Sequence, residues 1–360
     1  MRAVRFARYG GPDVLEVVEV DAPHAQAGQI RVAVRAAGVN GLEWKVRAGL
    51  LQEVRPLVLP AGIGGDAAGI VDEVGDGVRD VRVGDAVFGS GQETYAEHAV
   101  LTSWAPVPPN ASIVEAAGFA TPFETALRVL AEAGVAAGHT VVINGASGGV
   151  GSAAVQFAVD RGATVIGVAG PHNQKYVASL GAVPTTYGPG LADRIRAVAS
   201  GVDVAGSGVD VVCGVAGSGV GVGLGVAGSG VGLGVAGSGV GVGLGVAGSG
   251  VGVGLGIAGS GVDIAIDVAG SGVIAELIAL TGDPARVVSI ADFSAPEHGA
   301  RVSTGFGRDK TPALREGARL VASGRLTLPV TAEFSLAQAG EAHAASATGH
   351  VRGRIVITVP

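Results

Sequence analysis

Cysteine, aromatic residues and basic clusters are all scarce in this sequence. The single cysteine, Cys213, excludes a disulfide framework and any metal site built from several cysteines. Aromatic residues make up 4% of the chain, and the net charge is −7 without a cluster of Lys or Arg. Because proteins bind nucleic acid mainly through Lys and Arg that neutralise phosphates, this charge argues against a nucleic-acid partner.

The N-terminal residues lack the pattern of a secretory leader. Arg2, Arg5 and Arg8 alternate with apolar residues, and no apolar run follows them that would form a signal peptide. We therefore expect a cytoplasmic protein. A chain of 360 residues is also long enough for about two domains with a large buried core.

Charged residues are absent from Val211 to Val262, where the sequence repeats itself. The tetrapeptide A-G-S-G occurs seven times from Ala205 onward, at spacings of 11, 11, 9, 11, 11 and 11 residues. Val or Leu alternates with Gly between these turns, which predicts a weakly ordered hairpin-like or loop structure. A membrane span is the alternative for an uncharged apolar stretch, but glycine at nearly every second position leaves little apolar surface.

Four fits to the G-x-G-x-x-G fingerprint of dinucleotide-binding proteins lie within this repeat. They begin at Gly223, Gly232, Gly243 and Gly254, and each is followed by Ser-Gly rather than by a helix. A phosphate-binding loop needs the free N–H groups of a helix N-terminus. We therefore interpret the four fingerprints as by-products of the repeat.

The repeat interrupts a unit made of a strand and a helix. Residues 261–280, GVDIAIDVAGSGVIAELIAL, predict a buried strand, a glycine-rich turn and an amphipathic helix. A similar phrase, GVDVAGSGVDV, starts at Gly201, and removal of Val202–Gly261 joins Gly201 to Val262 without a visible seam. We predict that this insertion is dispensable for cofactor binding and chemistry.

A cofactor loop is predicted within residues 140–160. TVVING predicts a strand, ASGGVG a tight loop and SAAVQFAVD a helix, and a second buried strand, ATVIGVAG, follows. An ordinary tight turn is the alternative. The strand–loop–helix–strand context favours a pyrophosphate site, in which Ala146 replaces the first glycine of the fingerprint. The predicted contacts are Ala146, Ser147, Gly148, Gly149, Val150 and Gly151.

The residues after the second strand favour NADP(H) over NAD(H). NAD-specific sites place Asp or Glu there to bind the ribose 2′-OH. This chain instead has AGPHNQK at residues 169–175, with no acid and with a cation at Lys175. Small residues around Gly170 would tolerate a 2′-phosphate, and Lys175 would attract it. The alternative is that Lys175 lies on a solvated helix face and has no role in binding.

Together with the N-terminal third of the chain, these segments resemble the zinc-independent quinone oxidoreductase branch of the medium-chain dehydrogenase/reductase family. VRFARYGGPDVLEV resembles the first hairpin of that family. AAGVNGLEWKVRAG at 36–49 resembles its active-site segment, and GDAAGIVDEVGDGVRDVRVGDAVFG at 65–89 its barrel strands. INGASGGVGSAAVQFA resembles its cofactor loop.

The resemblance extends to the closing strands, SGRLTLPV at 323–330 and GHVRGRIVITV at 349–359. It implies an α/β fold: a Rossmann domain with a doubly wound parallel sheet, and a GroES-like catalytic domain with a partly open β-barrel. The implied domains are a catalytic domain at 1–118, an NADP-binding domain at 119–291 that carries the insertion 202–261, and a return to the catalytic domain at 292–360.

The resemblance also implies the reaction, which is NADPH-dependent reduction of a quinone or an α,β-unsaturated carbonyl (enone) without zinc. The substrate would be a small molecule and the enzyme a homodimer. Zinc-dependent members of the family carry a Cys where this chain has Asn40-Gly41, and Gly-His-Glu where it has Gly64-Gly65-Asp66. We therefore expect no metal.

Individual site residues follow from the same resemblance. Asn40 is the predicted polar contact at the substrate, with a turn-stabilising Asn as the alternative, and Lys45 is the second predicted catalytic residue, with a solvated lysine as the alternative. The predicted cofactor residues outside the loop are Thr121, Thr125, Gly170, Lys175, Tyr187, Val268 and Ile290.

Two other functions stay open. The first is an NADPH-binding protein without useful turnover, either a sensor or a crystallin-like structural protein, which the interruption of the cofactor domain by the repeat favours. The second makes the repeat itself functional, as a silk-like element for self-association that the enzyme carries.

Overall fold

The computed structural model describes residues 1–199, 243–246, 251–254, 261–305 and 307–360. Its strands are β1 (Arg2–Phe6), β2 (Glu16–Glu19), β3 (Ile30–Val39), β4 (Ala61–Gly62), β5 (Asp66–Val74), β6 (Ala86–Gly91), β7 (His98–Pro106), β8 (Thr140–Asn144), β9 (Thr164–Ala169), β10 (Val183–Thr186), β11 (Gly243–Val246), β12 (Val251–Gly254), β13 (Ile264–Asp267), β14 (Val287–Ser289), β15 (Arg301–Val302), β16 (Val330–Ser335) and β17 (Arg354–Thr358).

The α-helices connect these strands. They are α1 (Gly41–Arg47), α2 (Ile113–Ala116), α3 (Ala120–Glu132), α4 (Gly149–Asp160), α5 (Gln174–Ser179), α6 (Leu191–Ala199), α7 (Ile274–Thr281), α8 (Thr311–Ala322) and α9 (Ala339–Ala347). Short 3-10 helices lie at Pro12–Val14, Pro171–Asn173, Pro284–Arg286, Ala295–His298 and Leu336–Gln338. Within the described ranges, no helix combines the length and the apolar character that a membrane crossing requires.

The cofactor half of the molecule is a six-stranded sheet in the order β10-β9-β8-β13-β14-β15. Its neighbouring strands pair in parallel, and the central strand β8 is buried on both faces, as an apolar strand between two helical layers must be. Phe123 of α3 and Phe157 of α4 lie in the core on one face, and Ile195 of α6 lies in the core on the other. The prediction of a doubly wound parallel sheet is confirmed.

The second half is a six-stranded sheet in the order β16-β17-β3-β5-β6-β7. The long strand β3 also pairs with β7, so the sheet curls back on itself as a partly open barrel. Its core includes Val32, Leu101 and Ile357, and a small sheet in the order β2-β1-β4 lies beside it. The barrel-like catalytic domain implied by the resemblance is therefore present.

Strand membership differs from the predicted division of the chain at residue 291. β15 lies beyond that residue, yet it pairs in parallel with β14 in the cofactor sheet. β16 is the next strand along the chain, and it pairs with β17 in the barrel sheet. The domain boundaries themselves stay a prediction.

One pair of strands is described within the glycine-rich insertion. β11 and β12 pair antiparallel, with Gly243 opposite Gly254, and form a separate two-stranded sheet. This pair agrees with the predicted hairpin-like structure. The other copies of the repeat, and Cys213, lie outside the described residues.

Candidate active site and cofactor cleft

The predicted cofactor loop lies between β8 and α4, and β9 follows. The unit has the predicted order, although the helix begins at Gly149 rather than at Ser152. Gly145 has φ +89°, and the backbone N–H groups of Gly145 and Ala146 both donate to the carbonyl of Val168, at 3.0 and 2.9 Å. These bonds hold the loop against the end of β9.

Gly148 and Gly151 are required for different reasons. A Cβ at Gly151 would lie 2.0 Å from the carbonyl oxygen of Gly145, so the loop and the helix are too close for any side chain there. A Cβ at Gly148 would have only one neighbour, 3.7 Å away, and φ is an ordinary −76°. The fold does not need glycine at 148. The open space there lies at the first turn of α4, where free N–H groups can bind a phosphate.

Ser147 joins the loop to two other segments. Its carbonyl accepts a hydrogen bond from the backbone N–H of Gly353 at 2.9 Å. Its hydroxyl accepts one from the side-chain amide of Asn173 at 3.2 Å. The residue just before β17 and the segment after β9 therefore meet at the cofactor loop.

Arg354, at the start of β17, extends from the cofactor loop into the catalytic half. A Cβ at Gly149 would lie 2.7 Å from its Cδ, so the stem of the side chain crosses the beginning of α4. Nη2 donates to Asn40 Oδ1 at 2.8 Å and is 3.9 Å from Asp66 Oδ2. Nε is buried and finds no hydrogen-bond partner among the described residues. A buried, unpaired donor costs about 1–3 kcal/mol. The guanidinium atom nearest the start of α4 is Nη1, 2.9 Å from where a Cβ at Gly149 would be, and an anion at this helix N-terminus would lie beside it.

Asp66, at the start of β5, is fully buried and collects hydrogen bonds from several elements. Thr121 donates to it twice, from its backbone N–H at 2.9 Å and from its hydroxyl at 2.8 Å. Ser90 Oγ lies 3.4 Å from Oδ1, and Asn40 Nδ2 is 3.1 Å from Oδ2. Thr121 is in the first turn of α3, so the carboxylate also compensates the positive end of that helix. Thr121 is thereby placed at the candidate active site.

Asn40 is the N-cap of α1, and its side chain is completely hydrogen-bonded. Nδ2 donates to Glu43 Oε1 at 3.0 Å and to Asp66 Oδ2 at 3.1 Å, while Oδ1 accepts from Arg354. A guanidinium can only donate, so the orientation of the amide is determined. Both N–H groups are therefore used within the protein. The predicted contact with a substrate oxygen stays a prediction, and it requires one of these bonds to open.

Glu43 forms the other half of the capping box of α1, where its carboxylate also accepts from the Asn40 backbone N–H. Burial, and then the nearby Asp66 carboxylate, raise the pKa of Glu43 to about 7, against the hydrogen bonds from Asn40 and the charge of Arg354. Tyr95 OH lies 3.5 Å from Glu43 Oε2, and burial raises the pKa of Tyr95 well above its ordinary value. The site thus contains a carboxyl group that can hold a proton near neutral pH.

Lys45 and Thr125 lie outside this cluster. Lys45 Nζ is 5.8 Å from the centroid of the Trp44 ring and has no carboxylate partner in the described part of the chain. Thr125 is buried in α3, and its hydroxyl donates to Glu124 at 3.3 Å. Their roles stay predictions.

The remaining predicted cofactor residues lie at the carboxyl ends of the parallel strands. A Cβ at Gly170 would lie 3.5 Å from Tyr187 OH, so the half-exposed tyrosine covers Gly170, whereas Lys175 on α5 is exposed. Val268 follows β13 beside Gly145, and Ile290 follows β14. Doubly wound sheets bind ligands at this edge.

Several polar residues of these sites were missed by sequence reasoning. Asp267, at the end of β13, accepts hydrogen bonds from the Asn144 amide at 2.9 Å and from the Ser289 hydroxyl at 2.8 Å. It also accepts from the backbone N–H of Gly270, which holds the turn after β13. Glu43 and Arg354 were missed as well. For Asp267 the available signal was a single polar residue at the end of the apolar strand IAID.

The structure also bears on metal binding. Within the residues described, no group of three or more His, Cys, Asp or Glu side chains could hold a metal ion. Where the zinc-dependent relatives have ligands, Asn40 is hydrogen-bonded to carboxylates and Gly65 has no side chain. Zinc independence stays a prediction.

Two segments of the chain match known protein families. Residues 26–121 match the family described as alcohol dehydrogenase GroES-like domain, and residues 253–357 match the family described as zinc-binding dehydrogenase. The quinone oxidoreductase of Rattus norvegicus is 38% identical over 182 residues, which cover 49% of this chain and 54% of the rat protein. The chain spans less than two thirds of the length of the curated relatives that it matches first.

Solved structures are similar over the entire chain. The quinone oxidoreductase from Coxiella burnetii is 25% identical with a TM-score of 0.73, covering 100% of this chain and 99% of that one. An NAD-dependent alcohol dehydrogenase is 26% identical with a TM-score of 0.74, covering 100% of both chains. The chain therefore has the fold of these oxidoreductases, and about half of it is similar in sequence to quinone oxidoreductases.

Proposed function

We propose that this protein is an oxidoreductase that uses NADPH to reduce a quinone or an α,β-unsaturated carbonyl by hydride transfer without zinc. One observation carries the proposal. The open glycine position at Gly148 and the Nη1 end of the Arg354 guanidinium lie at the same helix N-terminus, since Nη1 is 2.9 Å from where a Cβ at Gly149 would be. The similarity to quinone oxidoreductases supports the substrate class.

The residues present fit NADPH. Gly148, Gly149 and Gly151 would receive the pyrophosphate at the start of α4, and Arg354, whose Nη1 lies beside Gly149, would supply a charged donor there. The lack of an acidic residue at 169–175, with Tyr187 over Gly170, supports NADPH over NADH. When bound, the cofactor supplies the hydride.

The protein's own contribution is to orient groups and to hold a proton. Asp66 fixes Thr121 and Asn40 relative to each other, and Arg354 adds a positive charge beside the Asn40 carbonyl. A protonated Glu43 accepts hydrogen bonds more weakly than a carboxylate. Protonation therefore loosens the bond from Asn40 Nδ2 and makes that N–H available to a substrate oxygen where negative charge develops.

The glycine-rich insertion does not take part in this function. The fingerprint that begins at Gly243 has its first residues in β11, which pairs only with β12 among the described strands. The next residues that the structure describes, Val251–Gly254, form strand β12 and not a helix with free N–H groups at its start. A cytoplasmic homodimer that acts on a small-molecule substrate completes the proposal.

A second candidate, an NADPH-binding protein without turnover, is favoured by one observation. Both side-chain N–H groups of Asn40 are already donated to carboxylates. If these bonds persist with substrate present, the site has lost the donor that the reaction needs.

The two candidates are tested together. The full chain is first titrated with NADPH and NADH, and NADPH oxidation is then followed in a single turnover with 1,4-benzoquinone and with a simple enone. We expect NADPH to bind more tightly and to be oxidised by at least one acceptor. Binding without oxidation would support the second candidate, and lack of NADPH binding would exclude both.

A further inference from the structure

A half-buried lysine with no part in the chemistry described above lies beside the candidate active site. Lys310 immediately precedes α8, and its Nζ lies 3.5 Å from Ser90 Oγ. Ser90 is buried in β6, and its hydroxyl is 3.4 Å from Asp66 Oδ1. Asp66 is the carboxylate that holds Thr121 and Asn40. The ammonium group is therefore separated from the centre of the site by one serine hydroxyl.

Lys310 pairs with no carboxylate in the described part of the chain. The neighbouring Asp309 carboxylate accepts a hydrogen bond from the Thr311 backbone N–H at 2.9 Å, and so caps α8 instead. Asp66 has its own cation, Arg354, whose Nη2 is 3.9 Å from Oδ2. Lys310 therefore adds a positive charge beside the site that none of the described carboxylates balances.

The stability of α8 does not explain a lysine at this position. Lys310 is the N-cap of the helix, where the partial positive charge of the helix N-terminus disfavours a cation. The residues that stabilise such a position carry an oxygen that accepts from the free N–H groups, and an ammonium group cannot accept. The charge of Lys310 is thus unfavourable for the helix that it precedes, which points to a use of that charge elsewhere.

Contacts on both sides fix the segment that carries Lys310. Arg128 in α3 is buried and paired with Glu124 at 2.7 Å, and its Nη1 also donates to the hydroxyl of Ser303, which follows β15. At the other end of the segment, the backbone N–H of Lys310 donates to Ser103 Oγ in β7 at 3.3 Å. The backbone of Lys310 is therefore held against the barrel sheet, and less entropy is lost when its side chain binds a ligand.

We infer that Lys310 is a specificity-determining residue that binds an anionic substituent, a carboxylate or a sulfonate, on the quinone or enone acceptor. An ammonium group has three N–H donors, and Ser90 is the one described residue that lies within hydrogen-bond distance of Nζ. The other two donors can bind the substituent, while Asn40 stays the predicted contact for the oxygen where charge develops. The inference rests on the proposed function, because it assumes that a quinone or an enone is reduced at this site.

The test compares matched neutral and anionic acceptors, with the full chain and saturating NADPH. The quinone pair is 1,4-naphthoquinone and 1,4-naphthoquinone-2-sulfonate, and the enone pair is benzylideneacetone and its 4-carboxylate. The variants are Lys310→Gln, which removes the charge, and Lys310→Arg, which keeps it. Arg319→Gln is the matched control, because Arg319 is an exposed cation on α8 that pairs with Glu316 at 2.7 Å.

Lys310→Gln should lower kcat/KM for the anionic acceptors about ten- to a hundredfold, the factor for loss of a charged hydrogen bond, and leave the neutral acceptors within about threefold. Lys310→Arg should keep most of the wild-type rate, and Arg319→Gln should match the wild type with all four acceptors. Added salt should slow the wild type with the anionic acceptors and have little effect on Lys310→Gln, because salt screens only the charge interaction.

Two results would overturn the inference alone. One is an equal loss of kcat/KM with neutral and anionic acceptors in Lys310→Gln, which would give Lys310 a structural role. The other is wild-type kcat/KM values with both kinds of acceptor in that variant. In both cases turnover of the neutral acceptors would still support the proposed function. If the wild type oxidises NADPH with none of the four acceptors, the proposed function fails and the inference fails with it.

Discussion

Ala199 and Gly261 lie against each other, although the whole glycine-rich insertion separates them in sequence. A Cβ at Gly261 would be 3.2 Å from the Cβ of Ala199. Ala199 ends α6 and Gly261 precedes β13, so the two ends of the insertion meet at one point beside the cofactor sheet. Gly261 has φ +69°, in the left-handed region that favours glycine.

Deletion of Val202–Gly261 should therefore leave the fold and the cofactor site intact. In the shortened chain, Ser200-Gly201 takes the place of Ser260-Gly261, which keeps a glycine at the left-handed position. Closing a shorter loop costs less entropy, by about 0.6 kcal/mol for each halving of its length. We expect NADPH binding at least as tight as that of the full chain and a higher Tm, measured by titration and thermal denaturation.

Gly225→Val and Gly245→Val are the controls within the insertion, and neither should change NADPH binding. A deletion variant that folds but no longer binds NADPH would show that the repeat is part of the site. Size-exclusion chromatography of the same variant tests the self-association alternative, which predicts a smaller assembly after deletion.

Substitutions at the two loop glycines should separate ligand binding from folding. Gly148→Val should keep the wild-type Tm, because its Cβ meets open space, and should weaken NADPH binding at least about a hundredfold, because the side chain fills the pyrophosphate position. Gly151→Ala should destabilise the protein by about 1–3 kcal/mol, because its Cβ would overlap the Gly145 carbonyl. Urea denaturation and NADPH titration of both variants check this. A Gly148→Val variant that is fully stable and binds NADPH with normal affinity would show that this loop does not bind the cofactor.

Local patterns predicted the cofactor unit, while contacts between distant segments escaped prediction. A short stretch of sequence contains the apolar periodicity and the glycine positions that predict β8, the loop and α4. Arg354 reaches Asn40 and Asp66 only because β17 pairs with β3 and β3 with β5. Nothing near Arg354 in sequence indicates those partners. The two-residue strand β15 is likewise defined by its pairing with β14 rather than by its own composition.

Asn40→Ala should lower turnover with little effect on NADPH affinity. Asn40 contacts Nη2 of Arg354, whereas the predicted pyrophosphate position lies beside Gly149, which the Cδ of Arg354 approaches. Loss of one well-placed donor to a developing oxyanion reduces kcat by about 10²–10³. Single-turnover rates and NADPH titration provide the two readouts. A rate equal to that of the wild type would exclude Asn40 from the chemistry.

Treatment with a strong chelator should leave activity unchanged. The described residues contain no cluster of ligands for zinc, and one cysteine cannot build a tetrathiolate site. Activity after dialysis against 1,10-phenanthroline and the metal content of the purified protein provide the check. A zinc-dependent alcohol dehydrogenase treated in parallel should lose its activity. Loss of activity here that zinc alone restores would overturn the proposal of a zinc-free reaction.

Stability should fall as pH rises, because of Glu43. Burial raises the pKa of this carboxyl group from 4.5 to about 7 in the folded protein, so the folded state binds its proton more tightly than the unfolded state does. The stabilising contribution is therefore complete below about pH 4.5 and is lost progressively as pH rises to about 7. By linkage it amounts to about 3 kcal/mol in all.

Glu43→Gln should abolish this pH dependence, because glutamine cannot ionise while its carbonyl can still accept a hydrogen bond from Asn40. The free energy of unfolding in urea, measured at pH 5, 6, 7 and 8, should drop across the series for the wild type and stay flatter for Glu43→Gln. Glu16→Gln, at an exposed position in β2, should follow the wild-type curve. Parallel curves for the wild type and Glu43→Gln would mean that Glu43 does not titrate in this range, and Asn40 would then lack the proposed means of releasing its N–H.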